Sequence, residues 1–231
     1  MLAIVSSNKK YFEGLLEKVD AKKEDNNSKH EMYKCKYKDH NFIIMSLGYG
    51  KVNIGSSLNY LCSKYNIKAI IVVGTAGSIT DSCNIFSAVV PNESLQYDVD
   101  FMPLGYNSAQ IPGVSKSVYE TNEDLNDCLK RASSICGVSY TDLPIATSDM
   151  FASNYNLSNS IRREYDAACV DSETGSIGEY CFLNDISYAA VKVISNFANN
   201  NAIKQHNIYN DESSNMCQRI MYKFLKEFYD A

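Results

Sequence analysis

Short apolar runs, each followed by small or polar residues, recur along this chain and alternate with stretches whose apolar residues have helical spacing. Three runs end abruptly: IIVVGTAGSI at residues 70–79, CVDSETGSI at 169–177 and VKVISN at 191–196. Buried parallel strands read as continuous apolar runs, and ligands of α/β sheets bind beyond the carboxyl ends of such strands. The pattern therefore predicts a ligand crevice at these three strand ends.

The alternation predicts eight strands and six helices. The strands are residues 2–6, 32–37, 42–47 (a hairpin with the preceding strand), 69–73, 88–95, 139–147, 167–170 and 189–194. The helices are residues 11–19, 52–65, 123–135, 157–165, 175–183 and 212–229. Residues 20–31 are predicted to be a mobile charged loop, and residues 101–113 a long irregular loop.

This order of elements indicates one α/β domain over residues 1–231, with helices on both faces of a mostly parallel sheet. The chain has no internal repeat and no linker long enough to divide it. A hydrophobic content of 45% and a charged content of 21% are typical of a soluble globular protein.

Charge and composition exclude several classes of function. A net charge of −5, without a stripe of Lys and Arg, argues against nucleic acid as a partner. No run is long enough to cross a bilayer, and the apolar start is too short for a signal peptide, so we expect no membrane partner and a cytoplasmic location. The eight cysteines include no C-x-x-C pair, which favours buried reduced thiols.

The polar groups at the three strand ends have both structural and functional interpretations. Glycines at 74 and 77 suit either a tight turn or a ligand that touches backbone amides. Glu173 is either an acid in the first turn of a helix or a site carboxylate. Asn196 is either a turn residue or a ligand contact. The three histidines, His30, His40 and His206, have no metal-binding spacing, so no metal is predicted.

Taken in order, these and other short segments resemble the bacterial 5′-methylthioadenosine/S-adenosylhomocysteine nucleosidases of the nucleoside phosphorylase superfamily. The resemblance runs over nearly the whole chain. It rests on SLGYGKVN (46–53), GTAG (74–77), YDVD (97–100), LGY (104–106), QIPG (110–113), SDMF (148–151), VDSETGSI (170–177) and ISN (194–196).

The resemblance implies a three-layer α/β/α nucleoside phosphorylase fold with a mixed, mostly parallel central sheet. It also implies hydrolysis, without a cofactor, of the bond between ribose and purine in adenine nucleosides such as methylthioadenosine or S-adenosylhomocysteine. The transition state of this reaction resembles an oxocarbenium ion. Glu173 matches the family carboxylate that grips the ribose hydroxyls and stabilises the cationic sugar.

Two catalytic positions depart from the family pattern. The family acid that takes a proton from the attacking water lies in the first helix, where the register gives Tyr11 or Phe12, so the nearest carboxylate, Glu13, is predicted for this role. The family aspartate that protonates purine N7 is replaced by Asn196. An amide can still recognise adenine, but it has no proton to give, so a general-acid contribution on the order of 10² to 10⁴-fold should be missing.

The remaining predicted contacts follow from the same resemblance. Tyr49 and Ser172 replace apolar family residues beside the 5′ substituent, which favours a 5′-hydroxyl or another polar group there. Leu104 and Pro112 match residues that a partner subunit lends to the site, which implies a homodimer. The other predicted substrate contacts are Thr75, Ala76, Gly77, Phe151, Ala152 and Tyr209.

Two alternatives stay open. Asn196 and the displaced acid of the first helix are consistent with a catalytically weak or inactive relative that only binds purine nucleosides. Phosphorylases of 6-oxopurines carry asparagine at the comparable position, so a purine nucleoside phosphorylase is the second alternative. Phosphate binding needs cationic partners, however, and residues 69–115 contain neither Lys nor Arg.

Overall fold

The computed structural model describes residues 1–24 and 31–230. Within these ranges the chain forms twelve strands and six α-helices. The strands are β1 (Leu2–Ser6), β2 (Asp20–Lys23), β3 (Glu31–Tyr37), β4 (His40–Ser46), β5 (Ala69–Ser78), β6 (Ala88–Val89), β7 (Glu93–Gln96), β8 (Val118–Glu120), β9 (Tyr140–Thr141), β10 (Ile145–Thr147), β11 (Cys169–Asp171) and β12 (Ser187–Phe197). The helices are α1 (Glu13–Leu16), α2 (Lys51–Lys64), α3 (Glu123–Ile135), α4 (Tyr155–Tyr165), α5 (Thr174–Leu183) and α6 (Ala202–Tyr229).

All twelve strands belong to one mixed sheet, and β5 is its central member. The main path runs β2-β3-β4-β1-β5-β11-β10-β7-β8, while β12 pairs with β5 and β6, and β6 with β9. β5 is parallel to β1 and β12, and antiparallel to β11. Parallel strands end at the same edge of a sheet, so the carboxyl ends of β1, β5 and β12 lie together.

Two apolar cores, one on each face of the sheet, give the molecule three layers. Along β5, Ile71 and Val73 pack with α3 and α6, whereas Ile70 and Val72 pack with α2 and α5. Successive side chains of a strand point to opposite faces, so a strand covered on both sides is apolar at every position. The predicted α/β architecture, with helices on both faces of the sheet, is confirmed.

Proline explains why two predicted strands are each two shorter strands. Residues 88–95 form β6 and β7 with Pro91 between them, and residues 139–147 form β9 and β10 with Pro144 between them. Proline has no N–H to donate to a ladder, so it interrupts the pairing at these points.

Three other predicted bounds are wrong. In place of the helix predicted at residues 11–19, the chain forms a 3-10 turn (Lys9–Tyr11) followed by the short α1. The predicted loop at 20–31 contains β2, which pairs antiparallel with β3, and residues 25–30 lie outside the described residues. The last helix begins at Ala202, ten residues before its predicted start at 212.

The eight cysteines are all unpaired thiols, six of them buried and Cys62 and Cys136 half-buried, which confirms the prediction for most of them. Among the described residues, none of the helices combines the length and the apolar character that a membrane span requires.

Candidate active site

A cavity of about 520 Å³ opens beside the carboxyl ends of β1, β5 and β12, where the antiparallel strand β11 joins β5. This volume suits a small organic ligand. Its walls combine apolar and polar groups: Ser7, Tyr11, Tyr49, Gly50, Thr75, Ala76, Gly77, Asp149, Met150, Phe151, Ala152, Val170, Asp171, Ser172, Glu173, Ser195, Asn196 and His206. The three strand ends predicted from the sequence therefore meet in one cavity.

Two glycines of β5 leave space for the two central side chains of the cavity. A Cβ atom at Gly74 would lie 2.8 Å from Glu173 Oε1, and one at Gly77 would lie 2.8 Å from Asn196 Oδ1. Any larger residue at either position would displace a polar side chain. Glu173 and Asn196 therefore contact β5 at two positions, Gly74 and Gly77, that are about 10 Å apart along the strand.

Glu173 is held by a buried cluster of three charges. The ammonium of Lys192 forms an ion pair with Glu173 Oε1 and lies 3.1 Å from Asp171 Oδ2. The side chain of Lys192 is 0% exposed, and both carboxylates are almost fully buried. Burial alone would lower the pKa of Lys192, but the charges of Glu173 and Asp171 outweigh it and raise that pKa above its ordinary value. Lys192 is therefore charged and paired with both carboxyl groups.

The second oxygen of Glu173 has no partner. Oε2 is buried and makes no hydrogen bond in the structure. A carboxylate oxygen is a strong acceptor, and leaving it unpaired and buried costs free energy. The cavity therefore contains an acceptor that a ligand hydroxyl can satisfy.

Asn196 reaches the cavity through a bulge in β12. Ile194 pairs with Ala76 and Asn196 pairs with Gly77, so Ser195 is an additional residue in the ladder. Bulges redirect side chains and are frequent beside active sites. Asn196 Nδ2 donates to the side-chain hydroxyl of Ser195 at 3.1 Å, which holds the amide beside that hydroxyl.

Tyr11 occupies the inner wall beside Thr75. The Thr75 hydroxyl lies 3.0 Å from the Tyr11 hydroxyl and 3.0 Å from Asn210 Oδ1. Burial, followed by the neighbouring Tyr49 hydroxyl, raises the pKa of Tyr11 well above its ordinary value. Tyr11 is thus a neutral phenol, which is a poor base at physiological pH.

Glu13 does not reach the cavity, and its predicted placement there is wrong. Its side chain is 59% exposed and lies 3.1 Å from Lys9 Nζ on the outer surface. The segment cannot easily rotate, because Gln218 of α6 accepts from Gly14 N and donates to Lys10 O. The same attachment to α6 directs Tyr11 inward.

His206 contributes a polar group that the sequence did not predict for this site. Its Nδ1 lies 3.5 Å from Ser195 Oγ, and its ring contacts the edge of the Phe151 ring, with centroids 5.7 Å apart. Burial and, less strongly, the charge of Lys10 lower the pKa of His206 below 6.5. The imidazole is therefore neutral at physiological pH.

Nine of the predicted site residues line the cavity and four, Glu13 among them, do not. Present in its walls are Tyr49, Thr75, Ala76, Gly77, Phe151, Ala152, Ser172, Glu173 and Asn196. Tyr209 instead packs its ring edge-on against Phe86. Leu104, at 72% exposure, and Pro112 lie on the loop at 101–113, outside the walls that this single chain supplies. Their predicted role requires a second subunit.

Comparison of the whole chain with known proteins identifies its class. Residues 2–229 match the family model of the phosphorylase superfamily, and the chain belongs to that superfamily. A 5′-methylthioadenosine/S-adenosylhomocysteine nucleosidase of Buchnera aphidicola subsp. Schizaphis graminum is 30% identical over 162 residues, 70% of this chain and 68% of the relative. Within the superfamily, the chain is a member of this nucleosidase family, as the motifs predicted.

Two solved structures support the fold. A nucleosidase of the same name from Neisseria meningitidis, in complex with methylthio-immucillin-A, has a TM-score of 0.91 at 18% identity and covers 97% of this chain and 98% of its own. An Asp-to-Asn variant of the Helicobacter pylori nucleosidase, with 5′-methylthioadenosine in the active site, has a TM-score of 0.91 at 20% identity and covers 98% of both chains. The predicted nucleoside phosphorylase fold is confirmed.

Proposed function

We propose that this protein binds adenine nucleosides of the methylthioadenosine and S-adenosylhomocysteine type and hydrolyses their N-glycosidic bond. The observation that carries the proposal is Glu173 Oε2, a buried acceptor without a partner in a cavity of nucleoside size. The ribose hydroxyls would donate to this oxygen. The Glu173 carboxylate would then stabilise the positive charge that develops on the sugar.

Asn196 supports adenine as the base. A side-chain amide can accept from the exocyclic amine of adenine and donate to N7, the bidentate pairing that Asn makes with this base elsewhere. Its position beside Gly77, three residues beyond Gly74 on β5, separates base recognition from sugar recognition along the cavity. The exposed Phe151 ring at the mouth offers an apolar surface for the flat purine.

The reaction proposed for this site is dissociative. The bond between C1′ and N9 breaks, its electron pair leaves with the purine, and Glu173 stabilises the cationic sugar. Water then adds to C1′. Solvent accepts the proton that this water loses, and solvent also donates a proton to the departing base. Because neither Tyr11 nor Asn196 transfers a proton at neutral pH, we expect turnover on the order of 10² to 10⁴-fold slower than with a general acid in place.

Release of free adenine from 5′-methylthioadenosine, S-adenosylhomocysteine and adenosine tests the proposal, with inosine as the comparison for base preference. We expect adenine release without added phosphate and no increase when phosphate is present. A protein that releases no base from any of these nucleosides and binds none of them would contradict the proposal.

One specific observation favours a second candidate function, retention of the nucleoside without cleavage. Both predicted proton-transfer positions, Tyr11 and Asn196, carry groups that cannot perform this role. For the Helicobacter pylori relative, an Asp-to-Asn variant is described with 5′-methylthioadenosine in its active site. Recovery of intact nucleoside after overnight incubation with a stoichiometric amount of protein would favour retention over hydrolysis.

Phosphorolysis is not favoured. No Lys or Arg is among the residues that line the cavity, and Lys192 below it is already paired with two carboxylates. Among the described residues that line the cavity, His206 is the one basic group, and its imidazole is neutral, so a phosphate co-substrate would have no cationic partner there.

We also propose that the protein works as a homodimer in which Leu104 and Pro112 complete the site of a second copy. The exposure of Leu104, together with that of Met102 and Phe101 on the same loop, supports an apolar contact surface there. Light scattering coupled to gel filtration should give twice the mass of the chain, 25.8 kDa. A monomer at micromolar concentration would contradict this proposal and leave the assignment of Glu173 intact.

A further inference from the structure

Lys192 is a fully buried cation that the reaction described above does not use directly. Lysine is almost never completely buried unless it is paired. Here the ammonium contacts two carboxylates that follow each other closely in sequence, Asp171 and Glu173. The arrangement therefore needs an explanation beyond packing.

Asp171 is the fixed end of this arrangement. Its carboxylate accepts from Glu173 N, from the backbone and hydroxyl of Thr174 and from the Thr147 hydroxyl. These bonds anchor the carboxylate at the beginning of α5. With its remaining contact at 3.1 Å to Lys192 Nζ, Asp171 fixes where the ammonium lies.

Glu173 is the end with a free oxygen. Lys192 occupies only Oε1, while Oε2 is buried without a partner in a side chain that lines the cavity. Gly74 makes room for this pair, since a Cβ atom there would lie 3.1 Å from Lys192 Nζ and 2.8 Å from Glu173 Oε1. The sequence places the small residue where the ion pair meets β5.

We propose that Lys192 is a positioning residue that holds Oε1 of Glu173 and thereby directs its free oxygen to the sugar of the bound nucleoside. This inference rests on the proposed function, because it assigns the sugar end of the same cavity. It divides the site into a sugar half set by Lys192 and Glu173 and a base half set by Asn196. The two halves make different demands on a ligand, so they can be tested separately.

The test measures the affinity for adenine and for formycin A by titration calorimetry between pH 5 and 9. Formycin A is an adenine-like nucleoside whose ribose is joined by a carbon–carbon bond, so hydrolysis cannot remove it. The wild-type protein should bind formycin A more tightly than adenine. Lys192→Met should lower formycin A affinity at least 10-fold and leave adenine affinity within about 2-fold, since hydrogen bonds to charged groups contribute about 1.5–3 kcal/mol.

A second readout is the pH dependence. Without the ammonium, the ionised form of Glu173 is less favoured, so formycin A binding should be lost at a higher pH in Lys192→Met than in the wild type. Lys192→Arg should restore most of the affinity. Lys130→Met is the matched control, because Lys130 Nζ lies 3.3 Å from Asp142 Oδ2 near the surface. This variant should change the affinity for neither ligand.

Equal weakening of adenine and formycin A by Lys192→Met, or no weakening of either, would overturn the inference and assign Lys192 a purely structural role. Thermal unfolding shows whether this variant is folded. If it is not, Lys192→Met with Asp171→Asn carries the same test, because it removes one charge of each sign. Wild-type protein that binds neither ligand would instead refute the proposed function, so the two failures are distinguishable.

Discussion

The Tyr11 hydroxyl lies 3.0 Å from the Thr75 hydroxyl, on the wall of the cavity that also carries Glu173. A neutral phenol therefore occupies the region where the family places an acid that activates water. Since burial raises the pKa of Tyr11, we expect it to take no part in proton transfer. Tyr11→Phe should change the rate of adenine release less than about 3-fold between pH 6 and 9. A loss of 100-fold or more would show that the hydroxyl acts in catalysis.

Replacing Asn196 by aspartate should restore the missing proton donor. We expect Asn196→Asp to raise the first-order rate of adenine release from 5′-methylthioadenosine by about 10² to 10⁴-fold. Single-turnover measurements with excess protein separate this step from product release. Asn196→Ala is the control, because it removes base recognition without adding an acid. Equal rates in the wild type and Asn196→Asp would show that leaving-group protonation does not limit the reaction.

Glu173→Gln keeps the size of the side chain and removes its charge. The variant should bind formycin A about 10- to 100-fold more weakly, as expected for lost hydrogen bonds to a charged group, and adenine release should fall further. Glu13→Gln is the matched control, since Glu13 is exposed and paired with Lys9. A large effect of Glu13→Gln on adenine release would show that Glu13 acts in catalysis.

His206 should make stability depend on pH. Burial and the charge of Lys10 lower its pKa in the folded state below 6.5, so the unfolded chain binds a proton first as the pH falls. The groups known to face the imidazole are Ser195, the Phe151 ring and Lys10. Between pH 7 and 5 the wild type should therefore lose more stability than His206→Gln. Urea unfolding at several pH values measures this difference, and parallel curves would contradict it.

Gly175 allows α5 to approach β7 and β10. A Cβ atom there would overlap the carbonyl oxygen of Leu95, lie 2.7 Å from its carbonyl carbon and 3.0 Å from Thr147 Cβ. Gly175→Ala should lower the free energy of unfolding by about 1–3 kcal/mol. Gly55→Ala in α2, where a Cβ meets nothing within 4 Å in the single chain, should instead raise it by about 0.5–1 kcal/mol.

The fold could be predicted largely from local patterns, and its exceptions have physical causes. The central strands are apolar because both faces are covered, so their runs were visible in the sequence. The first turns of α6 were not, because residues 202–211 are mostly polar and their isoleucines, Ile203 and Ile208, are exposed. Without an apolar stripe, that part of the helix has no periodicity to detect.

The site residues that follow the end of a strand could be predicted from the sequence. Those that tertiary contacts bring to the site could not. Glu173 and Asn196 follow apolar runs directly, whereas Lys192 lies inside one. A lysine in such a run is a signal in itself, since it requires buried carboxylates nearby, and Asp171 and Glu173 are the acids that end a neighbouring run. The sequence does not give the pairing, because it arises only when β11 and β12 pair with β5 from its two sides. For His206 the sequence contains no comparable signal, because it lies in the polar segment at residues 202–211.

The additional residue in β12 makes spacing part of ligand recognition. In a regular ladder of the same sequence, Ser195 would pair with Gly77 and Asn196 with Ser78, which would turn the amide to the other face of the pleat although no amino acid had been exchanged. The cavity wall would then present a hydroxyl in place of an amide. The chemistry of this wall can therefore change through backbone pairing as readily as through substitution.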